Sequence, residues 1–195
     1  GKERAVQREL GDIRSRRGLI GARWSRCLEI GQTDLSRTDQ EAIDLAGALN
    51  TKRLVVPWLD PEHFASRHRI DETADLLNIA AAEARSAGLQ LAYHNHWFEF
   101  EPVEGVPAFE RLLPRLSLDL DFELDLYWAR VGGADVATLL RRLGARVPLI
   151  HVKDGPATDT ESAMTAVGDG RIGYPALLRG YCADWLIVEL DRCDG

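Results

Sequence analysis

Cysteine is scarce. Cys27, Cys182 and Cys193 are the whole supply, an odd number with no CxxC pair. A disulfide framework is not the organising principle, and reduced thiols in a cytoplasmic protein are the expectation. A basic excess is lacking too: 24 Lys and Arg stand against 31 Asp and Glu, a formal net charge of -7. A nucleic-acid-binding surface needs the opposite balance. The basic cluster of Arg14, Arg16 and Arg17 reads as a solvated face beside a helix end. No apolar run is long enough to span a bilayer, and the opening GKERAVQREL holds no apolar signal region. Low-complexity linkers and shifts of composition are missing, so one domain over residues 1–195 is expected.

What is present is an ordinary globular composition, 45% hydrophobic and 28% charged, arranged as an alternation of helices and strands. Val6, Leu10 and Ile13 mark a helix over residues 3–17, stopped by Gly18, and residues 19–24 read as a short strand. Thr38 and Glu41 form a capping box before a helix carrying Ile43, Ala46 and Leu49. RLVVPWL (53–59) is a compact apolar strand. Asp71 is positioned to cap a long helix that carries Leu76, Leu77 and Ala80 and closes at Gly88. Strands follow at 89–96, from 122 (FELDLYW), from 148 (PLIHVKD) and from 185 (WLIVELD). Between them lie helices opened by Pro107, Asp135 and Pro175. Strands separated by helices imply parallel pairing, and near-continuous apolar strands imply a sheet covered by helices.

The polar residues on this map recur at one place. The stretch LAYHNHWFEF puts His94 and His96 near a strand end on one face, with Asn95 on the other. Asp125, His151 and Glu189 lie near the ends of the three strands that follow, each about one strand–helix unit from the last. In a (β/α)8 barrel, functional residues gather at the C-terminal ends of successive strands. Two imidazoles and two carboxylates would form a mixed nitrogen and oxygen set suited to Mn, Mg, Co, Zn or Fe(II).

Five segments together carry a family resemblance: YHNHWFEF (93–100), ELDLYWARVGGAD (123–135), PLIHVKDG (148–155), AVGDGRIGYPALL (166–178) and IVELD (187–191). In these the chain resembles the sugar phosphate isomerase/epimerase group of the xylose isomerase-like TIM barrels. The resemblance implies one divalent ion, Mn first among the candidates, held through Glu, Asp, His and Glu. Asp125, His151 and Glu189 match the last three, and His94 stands where many relatives carry the first Glu. It implies proton transfer next to the carbonyl of a sugar or keto-sugar, with Glu189 as ligand and base and Glu99 or His96 as the partner acid. Lys153, Trp97, Trp128 and Asp191 are the substrate-binding candidates, Trp128 standing where sugar epimerases often carry a His. Related chemistry, in which the same deprotonated intermediate expels a leaving group, would make the protein a lyase or dehydratase on a keto-sugar, keto-glycoside or inositol derivative. A non-catalytic sugar-binding subunit with a degenerate site is the rival of another class. A homo-oligomer is compatible with the chain, and neither membrane nor nucleic acid is an expected partner.

Two motifs point elsewhere. GDGRIG (168–173) matches GxGxxG, with Asp191 at about the spacing of a ribose-binding acid, but Pro175 opens a helix of barely two turns. YHNH invites comparison with HNH nucleases, whose signature is dispersed rather than contiguous. Six strands are legible, whereas an eight-stranded barrel takes about 250 residues. The expected fold is therefore a parallel (β/α)8 barrel lacking its first one to two strand–helix units.

Overall fold

The computed structural model describes residues 27–29 and 40–193. The expected helix over 3–17 and strand over 19–24 lie outside these residues, and so does the capping box that rests on Thr38. In chain order the elements are β1 (Cys27–Glu29), α1 (Gln40–Leu49), β2 (Arg53–Val56), α2 (Arg67–Ser86) and β3 (Gln90–His94). A small antiparallel hairpin follows, β4 (Pro102–Val103) with β5 (Val106–Pro107), and then α3 (Ala108–Leu112) and β6 (Leu120–Asp125). The chain continues through α4 (Leu126–Val131), α5 (Val136–Leu143), β7 (Leu149–Val152), α6 (Tyr174–Leu177) and β8 (Trp185–Val188). Six strands form one sheet in the order β1-β2-β3-β6-β7-β8, and every neighbouring pair is parallel.

Alternation along each strand divides the apolar residues between two faces. Leu54, Val56, Leu91, Tyr93, Leu120, Phe122, Leu124, Ile150 and Val152 join the large core that the helices cover. Val55, Ala92 and Leu149 form a separate small cluster on the opposite face, with Trp185 and Ile187 against it. Each fully buried Leu or Phe contributes about 1.5–3 kcal/mol, so the helix-covered face supplies most of the hydrophobic stabilisation. Among the described residues the inner face has a plug of five residues, and the positions beyond it toward the strand ends are polar.

Local chemistry sets the element ends. Asp135 caps α5 as expected, accepting the Ala137 and Thr138 amides at 3.1 Å each, and Gly144 ends it at φ 54°. The cap of α2 is Ser66 rather than Asp71. Ser66 is extended and accepts the Arg69 amide at 3.2 Å, while Asp71 lies inside the helix and pairs with Arg115 at 3.1 Å. FELDLYW is not one strand. Asp125 accepts the Trp128 amide at 2.8 Å, which turns the chain into α4 directly after β6. RLVVPWL likewise leaves the sheet after Val56.

Candidate metal centre

The inner-face positions of four strands meet near their C-terminal ends. In register, His94 of β3 lies beside Glu123 of β6, and Asp125 lies beside His151 of β7. The same parity carries Lys153 past β7, and Glu189 and Asp191 past β8, toward the same place. His94, Glu123, Asp125, His151 and Lys153 are all at most 5% exposed.

His94, Glu123 and His151 form the tightest group. One donor atom from each lies within 4.8 Å of the other two. Glu123 Oε2 is 3.5 Å from His94 Nδ1 and 3.3 Å from His151 Nε2, yet it has no hydrogen bond. His94 Nδ1 lies 3.2 Å from the Glu123 carbonyl, which only accepts, so Nδ1 carries the hydrogen and Nε2 keeps the lone pair. Burial, and then the neighbouring His151, hold His94 well below its ordinary range, so the ring is neutral at pH 7. A neutral imidazole, an orphaned buried carboxylate oxygen and a second imidazole that would release its proton to the ion are a donor set that a divalent ion fits.

A second cluster adjoins the first through His151. Its Nδ1 lies 2.9 Å from Glu189 Oε2 and 4.0 Å from Asp125 Oδ2. Lys153 Nζ lies 3.1 Å from Asp125 Oδ2, 2.8 Å from Glu189 Oε2 and 2.7 Å from Asp191 Oδ2. Burial opposes the charge on His151, but Glu123 and Glu189 outweigh it and raise the imidazole to about 9. Burial likewise opposes the Lys153 charge, and Asp125, ahead of Asp191 and Glu189, keeps the ammonium well above its ordinary range. Burial pushes Asp125 up to about 6 even against Lys153, and the His151 and Lys153 contacts hold Glu189 far below a normal carboxylate. Asp125 Oδ2 makes no hydrogen bond despite the Lys153 ion pair. The 3.1 Å separation is an electrostatic contact without hydrogen-bond alignment.

The predicted site residues thus fall into three groups. His94 and His151 sit in the tight group together with Glu123, which is not among the expected ligands. Asp125, Glu189, Lys153 and Asp191 form the adjoining cluster. Glu99 is in neither. It is fully buried, accepts Tyr93 Oη–H at 2.5 Å and the His96 amide at 2.9 Å, and so faces the helix-covered side with Tyr93. His96 lies past the end of β3. Its ring stacks on Phe98 at 5.7 Å and meets Trp58 edge-on at 4.3 Å, and its Nδ1 is buried without a hydrogen bond. Burial, then Lys153, lower His96 to about 4. Trp97 and Trp128 touch, with centroids 4.9 Å apart, and Trp128 Nε1 donates to Asp191 at 2.8 Å.

Four further residues shape the site. Glu123 has the same strand parity as Asp125, a signal present in ELD. Asn95 extends the β3–β6 ladder past the strand end, donating to the Asp125 carbonyl at 3.1 Å and accepting its amide at 3.0 Å. Trp58 follows the end of β2. Asp154 gathers the GDGRIG loop by accepting the amides of Gly155, Ile172 and Gly168 at 3.0, 3.2 and 2.9 Å. Two amides of this loop, those of Gly168 and Ile172, are therefore already engaged. Among the described residues no helix is long and apolar enough to cross a membrane.

Comparison with known proteins places this arrangement. A sugar phosphate isomerase/epimerase from Parabacteroides distasonis ATCC 8503 superposes with a TM-score of 0.68 at 23% identity, covering 89% of this chain and 61% of that one. A Thermus thermophilus protein soaked with ZnCl2 gives 0.60 at 23%, covering 96% and 80%. The probable 3-DHS dehydratase of petrobactin synthesis from Bacillus anthracis gives 0.61 at 14%, covering 83% and 66%. The chain thus spans about three fifths of the length of the first of these. No curated protein matches it. Residues 36–190 match the family described as xylose isomerase-like TIM barrel, and the chain belongs to that family.

Proposed function

We propose that the protein is a divalent-metal-dependent isomerase or epimerase that moves a proton next to the carbonyl of a sugar or keto-sugar. The observation that carries this reading is the convergence of the neutral His94 ring, the orphaned Glu123 oxygen and the His151 ring on the inner face of the strand ends. His94, Glu123 and His151 would hold the ion, with Asp125 and Glu189 beside them. A divalent ion there supplies Lewis-acid stabilisation of the negative charge that develops when a carbon acid next to a carbonyl loses its proton. Glu189, 45% exposed, stands where a substrate arrives, and it takes up a proton once His151 and Lys153 loosen their hold. His96 is neutral, and its buried Nδ1 keeps a hydrogen-bonding capacity that the protein does not use. The half-buried Trp97 and Trp58 offer apolar rings to the C–H face of a sugar. The relatives named sugar phosphate isomerase/epimerase and dehydratase support carbohydrate chemistry without choosing the substrate.

The test is a panel of ketoses and keto-sugars incubated with protein and Mn(II) in D2O and followed by proton NMR. Deuterium should enter the carbon next to the carbonyl with the metal, and not with EDTA or in Glu189→Gln. Loss of a hydroxyl or glycosyl group in the same spectra would make the protein a lyase. Saturable binding with no exchange for any substrate would overturn the catalytic reading in favour of a sugar-binding subunit.

A further inference from the structure

Among the described residues Lys153 is the one ammonium in the site, and its surroundings are those of a bound cation. Carboxylates from two strand ends surround Nζ: Asp125 at 3.1 Å, Glu189 at 2.8 Å, and Asp191 through both oxygens at 2.9 and 2.7 Å. The side chain is 2% exposed and Asp125 is fully buried. The ammonium donates to both Asp191 oxygens and is ion-paired with Glu189 and Asp125, so its charge is already matched by three carboxylates. The Lys153 backbone is held at both ends by one hydroxyl: its amide donates to Tyr174 Oη at 3.0 Å, and Tyr174 Oη–H donates to its carbonyl at 2.7 Å. The side-chain stem beyond them has no such tether except at Nζ. Asp125 Oδ2 and Glu123 Oε2, both buried, make no hydrogen bond and belong to the two adjoining clusters.

We propose that Lys153 is a built-in cation that occupies the meeting point of Asp125, Glu189 and Asp191 in competition with a divalent ion. This rests on the metal reading above and adds a latch to it. The carboxylates stay gathered without metal because the ammonium holds them. Loading them with an ion requires the lysine stem to swing away while its backbone stays fixed. A fixed unit charge next to an incoming dication opposes it strongly in a buried site, so the lysine sets how tightly, and at how many positions, the site binds metal.

Mn(II) titration read by the electron paramagnetic resonance of free Mn(II), with metal content after dialysis, tests this on the whole chain. Lys153→Met should bind Mn(II) at least about tenfold more tightly than wild type, or take up an additional equivalent. Adding Asp125→Asn should abolish the gain, and Lys153→Arg, which keeps the charge, should titrate like wild type. Identical titrations of wild type and Lys153→Met, or no Mn(II) binding by either, would overturn the proposal. If Lys153→Met does not fold, the wild-type side chain reports directly. Its buried Nζ proton signal in 15N NMR should shift or vanish on saturation with Zn(II), and an unchanged signal overturns the proposal. Tight binding by Lys153→Met in a protein that exchanges no deuterium leaves the latch standing and removes the catalytic reading. Deuterium exchange with no titration difference does the reverse.

Discussion

At the scale of single residues, the most informative pair is Glu99 with Tyr93. Glu99 is fully buried and raised to about 7 from an ordinary value of 4.5, chiefly by burial. An acid raised by folding is protonated in the fold and ionised in the unfolded chain between those two values. The unfolded state then binds fewer protons, so stability falls as pH rises from about 4.5 to about 7, by about 3 kcal/mol in all. Glu99→Gln keeps an acceptor for the His96 amide and a polar partner for Tyr93, with nothing to ionise. Urea unfolding at pH 5 and pH 8 should show wild type losing about that much stability relative to the variant. Parallel profiles would mean that Glu99 titrates normally. Glu99 also shows how sequence reading is misled. Five residues from His94, it looks close enough to act with it, but strand parity and the turn after β3 send its carboxylate to Tyr93 on the other face.

At the scale of elements, the joint between the loop after β3 and the end of α4 controls the aromatic wall. Gly132, the residue after α4, packs so closely that a Cβ would lie 2.4 Å from the Trp97 carbonyl oxygen and 2.7 Å from Phe100 Cβ. Backbone does not yield to such an overlap, so Gly132→Ala should cost about 1–3 kcal/mol and displace Trp97 from Trp128. Chemical denaturation and tryptophan fluorescence together read both effects. Gly47, in α1, has open space around its Cα, and Gly47→Ala should instead stabilise by about 0.5–1 kcal/mol. Equal effects of the two substitutions would remove the packing argument. Much of this scale is legible in sequence. The strand–helix alternation, the Asp135 cap and the inward parity of His94, Asp125 and His151 follow from spacing alone. What is not legible is where each strand stops. The strand expected from FELDLYW runs on past Asp125 until its cap to Trp128 is seen, and Glu123 is passed over because register across β3 and β6, not spacing along one strand, puts it beside His94. Lys153 can be given an inward direction from parity, but its three carboxylate partners arise only when β6, β7 and β8 are set side by side.

At the scale of the whole molecule, the two faces of the sheet are held by different forces. The helix-covered face is closed by apolar packing, whereas the inner face has a five-residue plug and then a crowd of charges. Buried ion pairs recover their desolvation only when every partner is present, and Glu123 and Asp125 each keep an oxygen without a hydrogen bond. A divalent ion bridging β3, β6 and β7 would therefore stabilise the fold as a unit rather than one loop. A ligand at 100 times its Kd adds about 2.7 kcal/mol, and a chain of this size gains about 2–4 °C in Tm per kcal/mol. Thermal unfolding followed by circular dichroism should thus show Mn(II) raising Tm by about 5–10 °C, EDTA reversing the rise and Na(I) having no such effect. His94→Ala and Glu123→Ala should each abolish the shift, and Glu99→Gln should keep it, because Glu99 lies on the other face. A rise that persists in both His94→Ala and Glu123→Ala would place the ion elsewhere, and the strand ends would then owe their cohesion to Lys153 and His151 alone.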